Sequence, residues 1–138
     1  MIFNTKKHRP LITIGITCYN AEDTIGCSIE SALAQDWPKF EIIIVDDSSS
    51  DNSQAIISKK VEKDNRIRFI IHEYNKGCAA VRNLIGQEAK GEFIAYFDDD
   101  DPSRYDRLTV QYDRILDYEK ESRHTLIACY TSGTRYYP

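Results

Sequence analysis

Short, mostly apolar segments alternate with segments of helical periodicity along the whole chain. The strand-like segments are residues 11–17, 40–45, 67–71, 93–97 and 125–130. The helical segments, with apolar residues three or four positions apart, are residues 25–33, 53–63, 77–89 and 104–121. Strands and helices that alternate with short connections are typical of α/β proteins, in which right-handed crossovers place helices on both faces of a parallel sheet. The chain is therefore predicted to be an α/β protein built on a parallel sheet.

The length of 138 residues suffices for one hydrophobic core and is too short for two. We expect a flexible N-terminal tail over residues 1–9 and a single domain over 10–138. The tail lacks the apolar segment of a secretory signal, and no apolar stretch approaches the ~20 residues that cross a bilayer. The four cysteines have no CxxC spacing and are expected to be reduced thiols. These features predict a cytoplasmic protein without a transmembrane segment, and they leave peripheral attachment to a membrane open.

The charge of the chain argues against a nucleic-acid partner. The formal net charge is −4, and no run of lysine or arginine is longer than two residues. A nucleic-acid binder needs a basic face that neutralises phosphates. We therefore expect no nucleic-acid partner.

Polar residues follow three of the predicted strands at the point where each strand ends. Residues 17–22 follow the first strand, residues 46–48 the second and residues 98–101 the fourth. Ligands of open parallel sheets bind outside the carboxyl ends of the strands. The sequence therefore predicts a binding site at this edge of the sheet.

Four consecutive aspartates, residues 98–101, are the strongest single feature. Adjacent like charges repel one another, so a folded chain holds them together only with a cation or full hydration. Carboxylates favour the hard divalent ions Mg²⁺ and Mn²⁺, which usually bind the phosphates of a substrate as well. The run does not fit an EF-hand, because its twelfth position is Thr109, and the chain has neither a GxGxxG nor a Walker A motif. A metal-dependent phosphate site and a solvated acidic loop are both open interpretations.

Other side chains near this edge also have two interpretations. Tyr19 offers a ring to a nucleobase or packs in the core, and Asp47 could accept a hydrogen bond from a ring N–H. Arg82 faces a phosphate or pairs with the acidic edge. No ligand or catalytic role is predicted for the scattered histidines, which are His8, His72 and His124.

Four motifs, in this order and spacing, resemble family 2 glycosyltransferases. They are T-C-Y-N-A-E at 17–22, V-D-D-S-S-S-D at 45–51, A-V-R-N at 80–83 and G-E-F-I-A-Y-F-D-D-D-D at 91–101. Each motif is loose, but the four together are specific, and the resemblance extends over about residues 10–130. It implies a Rossmann-like GT-A fold that binds a nucleotide-diphospho-sugar donor.

The resemblance also implies roles for residues that follow the first two strands. Tyr19 would stack on the nucleobase, and Asp47 would accept a hydrogen bond from a ring N–H of the base. Thr17 would hold the base with them, and Glu22 would border the same pocket.

For the acidic run, the resemblance implies the D-x-D element of the family at residues 98–100. Asp98 and Asp100 would bind Mn²⁺ or Mg²⁺, with Asp100 as the principal ligand that bridges the metal to the diphosphate. Asp98 and Asp99 would also contact the nucleotide-sugar, with Asp99 near the ribose. Arg82 would support the acidic groups or the diphosphate.

The implied reaction is displacement at the anomeric carbon with inversion. Its donor would be a nucleotide-sugar, most commonly a UDP-sugar, and its acceptor a glycan or a lipid-linked sugar in cell-surface polysaccharide or glycan synthesis. The catalytic base of the family usually follows the fifth strand, where this chain ends, so we assign no catalytic residue and expect a truncated GT-A domain. The exposed edge of a truncated sheet would permit a homodimer.

Two other functions are open from the sequence. The chain could be a nucleotide- and metal-binding module without transferase activity, or a metal-dependent phosphoryl-transfer or signalling domain. A receiver-like signalling domain would need an acidic pair after the first strand and a lysine after the fifth. This chain has Thr17-Cys18-Tyr19 and Thr131-Ser132 at those positions.

Overall fold

The computed structural model describes residues 8–123, 128 and 129. Within them, strands and helices alternate in the predicted order. The elements are β1 (Ile12–Cys18), α1 (Ile25–Leu33), β2 (Phe40–Asp46), α2 (Ser53–Val61), β3 (Ile67–Ile71), α3 (Cys78–Glu88), β4 (Phe93–Phe97) and α4 (Arg107–Ser122). Most of the predicted fifth strand, residues 125–130, lies outside the described residues, as do residues 1–7 of the predicted tail.

The four strands form one parallel sheet in the order β3-β2-β1-β4. In its register, Ile14 of β1 lies opposite Ile42 on one side and Ala95 on the other. This arrangement confirms the predicted α/β fold with a parallel sheet. Because β2 and β3 lie on one side of β1 and β4 lies on the other, the strand order reverses between β1 and β4. A reversal of this kind opens a crevice at the carboxyl ends of the two strands, where ligands of such sheets bind.

Helices cover both faces of the sheet, but unequally. One face, which includes Ile14 of β1, packs against α1, α2 and α4 in the larger core cluster. The other face packs Ile43 and Val45 of β2 against Val81 and Ile85 of α3. The middle of β2 is therefore buried on both sides, as its unbroken apolar run predicted. None of the described helices has the length and apolar character needed to cross a membrane.

The close packing of α3 on β1 depends on Gly15. A β-carbon at this position would lie 2.5 Å from Cγ2 of Ile85, which is too close for two carbon atoms. A larger residue would therefore push α3 away from the sheet. Gly15 thus sets the distance between the sheet and the helix that carries Arg82.

Candidate functional site

The loops that follow β1 and β2 are joined by hydrogen bonds. The backbone N–H of Asn20 donates to Oγ of Ser49 at 2.8 Å, and the side-chain oxygen of Asn20 accepts from the backbone N–H of Ser50 at 2.8 Å. One carboxylate oxygen of Glu22 accepts from the backbone N–H of Asn52 at 2.9 Å. Glu22, predicted to border the nucleotide pocket, therefore holds the two loops together.

Thr17 and Tyr19 lie at the carboxyl end of β1. Thr17 is half-buried, and Tyr19, the first residue beyond the strand, is 51% exposed. A residue with this exposure contributes little to the core, so the packing interpretation of Tyr19 is wrong. The ring is accessible to a planar ligand such as a nucleobase.

The four aspartates directly follow β4, beside the crevice where the strand order reverses. The carboxylate of Asp99 accepts a hydrogen bond from the backbone N–H of Tyr19 at 3.1 Å. The hydroxyl of Ser28 in α1 donates to the backbone carbonyl of Asp98. Asp99 is half-buried, and the other three aspartates are exposed. The run is thus fastened to β1 and α1, which distinguishes it from a freely solvated acidic loop.

The environment of Asp99 disfavours its negative charge. Burial is the largest cause that raises the pKa of Asp99 above its usual value, and the charges of Asp100 and Asp98 raise it further, against the hydrogen bond from Tyr19. A carboxylate that is ionised beside like charges is stabilised by a cation bound nearby. The electrostatics of the run therefore favour cation binding.

Two arginines approach the acidic run from different helices. Arg82 of α3 lies 3.5 Å from Oδ1 of Asp98, which is the contact with the acidic edge that one of its two interpretations describes; its contact with a phosphate stays a prediction. Arg107 of α4 stacks over the ring of Phe97 at 4.3 Å. Burial lowers the pKa of Arg107, while the charges of Asp101 and Asp98 oppose that shift. Arg107 was not among the predicted site residues; its signal was its place in the helix that follows the aspartates.

The acidic run does not by itself form a metal-binding cage. Among the described residues, no three histidine, cysteine, aspartate or glutamate side chains converge in an arrangement that could hold a metal ion. Mg²⁺ and ions like it are often bound through one or two protein carboxylates, with water and substrate phosphates as the remaining ligands. The exposed carboxylates of Asp98 and Asp100 fit a site of that shared kind. Their role as metal ligands stays a prediction.

Asp47 is buried at the end of β2, where its side chain is 5% exposed. Its Oδ1 lies 2.7 Å from Nδ1 of His72 and accepts a hydrogen bond from the backbone N–H of Lys76 at 2.9 Å. Its Oδ2 accepts from the backbone N–H of Gly77 at 2.7 Å. Burial alone would raise the pKa of Asp47, but the hydrogen bonds from His72, Lys76 and Gly77 outweigh it and hold the pKa below its usual value. This carboxylate is therefore ionised at neutral pH.

The contact between His72 and Asp47 at this edge of the sheet was not predicted from the sequence. No role is predicted for His72 from spacing, because its partner Asp47 lies 25 positions earlier in the chain. The available signal was its position directly after β3, at the same edge of the sheet as the predicted site.

Comparison with known proteins gives the family. The model of "Glycosyl transferase family 2" matches residues 13–137. Over 91 residues, the chain is 48% identical to the UDP-Glc:alpha-D-GlcNAc-diphosphoundecaprenol beta-1,3-glucosyltransferase WfaP of Escherichia coli. The matched region covers 66% of this chain and 36% of WfaP. The chain thus spans about a third of the length of this relative.

Solved structures of similar proteins share the fold. S. aureus TarS 1-349 in complex with UDP has a TM-score of 0.69 at 30% identity, over 79% of this chain and 32% of that one. The mannosyltransferase PcManGT from Pyrobaculum calidifontis, in complex with GDP-Man and Mn²⁺, has a TM-score of 0.64 at 24% identity, over 68% of this chain and 28% of that one. The second likeness concerns the fold alone. The chain has the parallel sheet of a GT-A glycosyltransferase, and the family model matches nearly all of its residues. This protein therefore belongs to glycosyl transferase family 2.

Proposed function

We propose that this chain is the donor-binding part of a glycosyltransferase that moves a sugar from a nucleotide-diphospho-sugar to an acceptor hydroxyl with inversion. The observation that carries the proposal is the hydrogen bond from the Tyr19 backbone to the Asp99 carboxylate. It joins an exposed aromatic ring to a run of carboxylates beside the crevice between β1 and β4. A nucleobase and a metal-bound diphosphate, the two ends of one donor, need these two kinds of group.

The nucleobase is proposed to lie between the ends of β1 and β2. Tyr19 provides a ring for stacking, and Thr17 and Glu22 border the base. Asp47 accepts a hydrogen bond from a ring N–H of the base. An ionised carboxylate has about four acceptor sites. The neighbours of Asp47 occupy three of them, so one is left for the base.

The diphosphate is proposed to lie over the acidic run. Asp98 and Asp100 would hold Mn²⁺ or Mg²⁺ together with the phosphate oxygens, and Asp99 would lie near the ribose. When bound, the metal offsets the negative charge that develops on the departing nucleoside diphosphate. Arg82 adds a positive charge beside the diphosphate, since its guanidinium lies 3.5 Å from Asp98.

A UDP-sugar is the proposed donor. WfaP uses UDP-Glc according to its name, and TarS was solved with UDP. The name of WfaP also specifies a sugar linked to diphosphoundecaprenol as its acceptor, which supports a lipid-linked acceptor and a role in cell-surface polysaccharide synthesis. Such an acceptor would bring the protein to the cytoplasmic surface of a membrane. No described residue is assigned as the base that removes the acceptor proton.

Calorimetric titration of UDP, with and without Mn²⁺, tests the donor site. We expect binding that depends on Mn²⁺ and is lost in the double variant Asp98→Ala/Asp100→Ala. Asp117→Ala is the matched control, because it removes a carboxylate that is 62% exposed near the distant end of α4. If UDP, GDP and dTDP all failed to bind under every metal condition, the proposal would be wrong.

A nucleotide- and metal-binding module without transferase activity would give the same titration. Sugar transfer from UDP-Glc to an acceptor separates it from the enzyme. Membership of family 2 removes the support for the phosphoryl-transfer and signalling alternative. The homodimer stays a prediction, and the molecular mass in solution would test it.

A further inference from the structure

His72 and Asp47 form a buried pair beside the proposed nucleobase pocket. Their side chains are 7% and 5% exposed, and Nδ1 of His72 lies 2.7 Å from Oδ1 of Asp47. The backbone N–H of His72 donates to the carbonyl of Asp46 at 2.9 Å, which continues the pairing of β3 with β2 by one residue. The backbone of His72 is therefore held by the sheet, and its ring is held by the contact with Asp47.

The chemistry of the pair determines which atom carries the proton. The carboxylate of Asp47 is ionised at neutral pH and has no proton to donate. Nδ1 of His72 must therefore be the donor of this hydrogen bond, and a neutral His72 ring carries its proton on Nδ1.

The contacts of Asp47 are divided unequally between its two oxygens. Oδ1 accepts from both His72 and Lys76, whereas Oδ2 accepts only from Gly77. Of the roughly four acceptor sites of a carboxylate, the remaining one is on Oδ2. Removal of the His72 donor would free a site on Oδ1 and allow the carboxylate to turn.

The same carboxylate also holds the beginning of α3. Gly77, whose N–H donates to Oδ2, has a φ of +85° and immediately precedes the first residue of the helix. A left-handed φ of this kind is readily adopted only by glycine. The orientation of Asp47 is thus linked to the start of the helix that carries Arg82.

We infer that His72 is a positioning residue for nucleobase recognition: it holds Oδ1 of Asp47, so that the open acceptor site of Oδ2 is presented to the ring N–H of the base. This inference rests on the proposed function and adds to it a residue that selects bases with a ring N–H. His72 acts through Asp47 and does not touch the donor.

Two ligands and three proteins test the inference. UDP has a ring N–H at N3, and 3-methyl-UDP has a methyl group there, so the ratio of their dissociation constants measures recognition of that N–H. The full chain is titrated with both ligands in Mn²⁺ as the wild type, as His72→Asn and as His72→Leu. Asparagine can place an amide N–H near the position of Nδ1, whereas leucine has a similar size and no donor.

We expect the wild type to prefer UDP by about tenfold or more, as one hydrogen bond to a charged group implies. His72→Leu should reduce this preference to about threefold or less, and His72→Asn should restore most of it. If His72 had a purely structural role, His72→Leu would weaken the binding of both ligands equally and leave the ratio of their dissociation constants unchanged. That result would overturn the inference. A wild type that binds UDP and 3-methyl-UDP equally would also overturn it, while leaving the proposed donor site intact.

The nitrogen chemical shifts of His72 provide a test that needs no ligand. We expect the Nδ1–H form of the neutral ring in the free wild-type protein. The Nε2–H form would contradict the inference even if UDP binds. Failure of the wild type to bind any nucleotide would instead contradict the proposed function, and the inference would fall with it.

Discussion

The two halves of the sheet edge at the carboxyl ends of the strands differ in how many of their carboxylate oxygens are hydrogen-bonded by the protein itself. At the ends of β1, β2 and β3, the loops are joined by hydrogen bonds, and the Asp47 carboxylate is buried among three donors. At the end of β4, three of the four consecutive aspartates are exposed, and the run is fastened mainly through Asp99 and the carbonyl of Asp98. The β2 side is preformed, whereas the β4 side has carboxylates that are largely exposed and largely free of such donors.

The pKa shifts on the two sides run in opposite directions for a physical reason. Asp47 is buried among N–H donors, which outweigh burial and lower its pKa. Asp99 is partly buried beside other carboxylates, so burial and repulsion together raise its pKa. Carboxylates on one edge therefore differ in their effect on the fold: Asp47 stabilises it without a ligand, whereas the charges of the run at β4 repel one another.

The largest expected effect is the loss of stability when the preformed side is disrupted. Asp47→Ala removes the acceptor of His72 and Lys76 and leaves Gly77 with only its 3.2 Å hydrogen bond to Asn75, so we expect the free energy of unfolding to fall by about 3 kcal/mol. Asp101→Ala, at the exposed side, should change it by less than about 0.5 kcal/mol. Urea denaturation measures both. Equal losses would remove the distinction between the two sides.

The next effect is the stabilisation that ligand binding brings to the β4 side. UDP with Mn²⁺ at a hundredfold excess over the dissociation constant should raise the free energy of unfolding by about 2.7 kcal/mol. Hydrogen exchange should slow at the amides of Asp100 and Asp101, whereas the amide of Gly77, already bonded to Asp47, should exchange slowly in the free protein. Rapid exchange at Gly77 without ligand would contradict a preformed β2 side.

Tyr19 should affect binding and leave stability unchanged. Tyr19 as a residue is 51% exposed, so Tyr19→Ala should change the free energy of unfolding by less than about 0.5 kcal/mol. Loss of stacking should weaken UDP binding by about tenfold, since stacking of a base on an aromatic ring contributes roughly 1–3 kcal/mol. Tyr118→Ala, which removes the ring of a residue in α4 that is 45% exposed, is the control for calorimetry. A similar loss of affinity for UDP in both variants would show that Tyr19 does not stack on the nucleobase.

The smallest effect is the pH dependence of stability. The pKa of Asp47 is lower in the folded chain than its ordinary 3.8, so its stabilising contribution is present above about pH 4 and is lost as the pH falls through the folded pKa. The pKa of Asp99 is raised, so its contribution changes in the opposite sense, and stability should fall as the pH rises through its folded pKa. The free energy of unfolding of Asp47→Asn and of Asp99→Asn, measured as a function of pH, compares the two contributions. At neutral pH the first variant should be less stable than the wild type and the second more stable.

The alternation of elements and the edge that holds the polar groups could both be predicted from the sequence. The apolar run of β2 and the spacing of α1 are local patterns, and local periodicity reflects which faces a segment buries. The carboxyl edge followed from parallel strands, because their ends meet at one side of the sheet. The family also followed from the motifs, and the model match over residues 13–137 confirms it. The donor and metal roles of the individual residues stay predictions.

The contacts that distinguish the two halves of the edge depended on tertiary structure. His72 and Asp47 lie 25 positions apart, and Tyr19 and Asp99 lie 80 apart. No periodicity connects such pairs; they meet because β2 lies between β1 and β3, and β4 lies on the other side of β1. The sequence by itself determined that carboxylates gather at one edge of a parallel sheet. Only the tertiary structure decided which of them is buried among donors and which are left exposed, because that depends on the strands and loops that become neighbours.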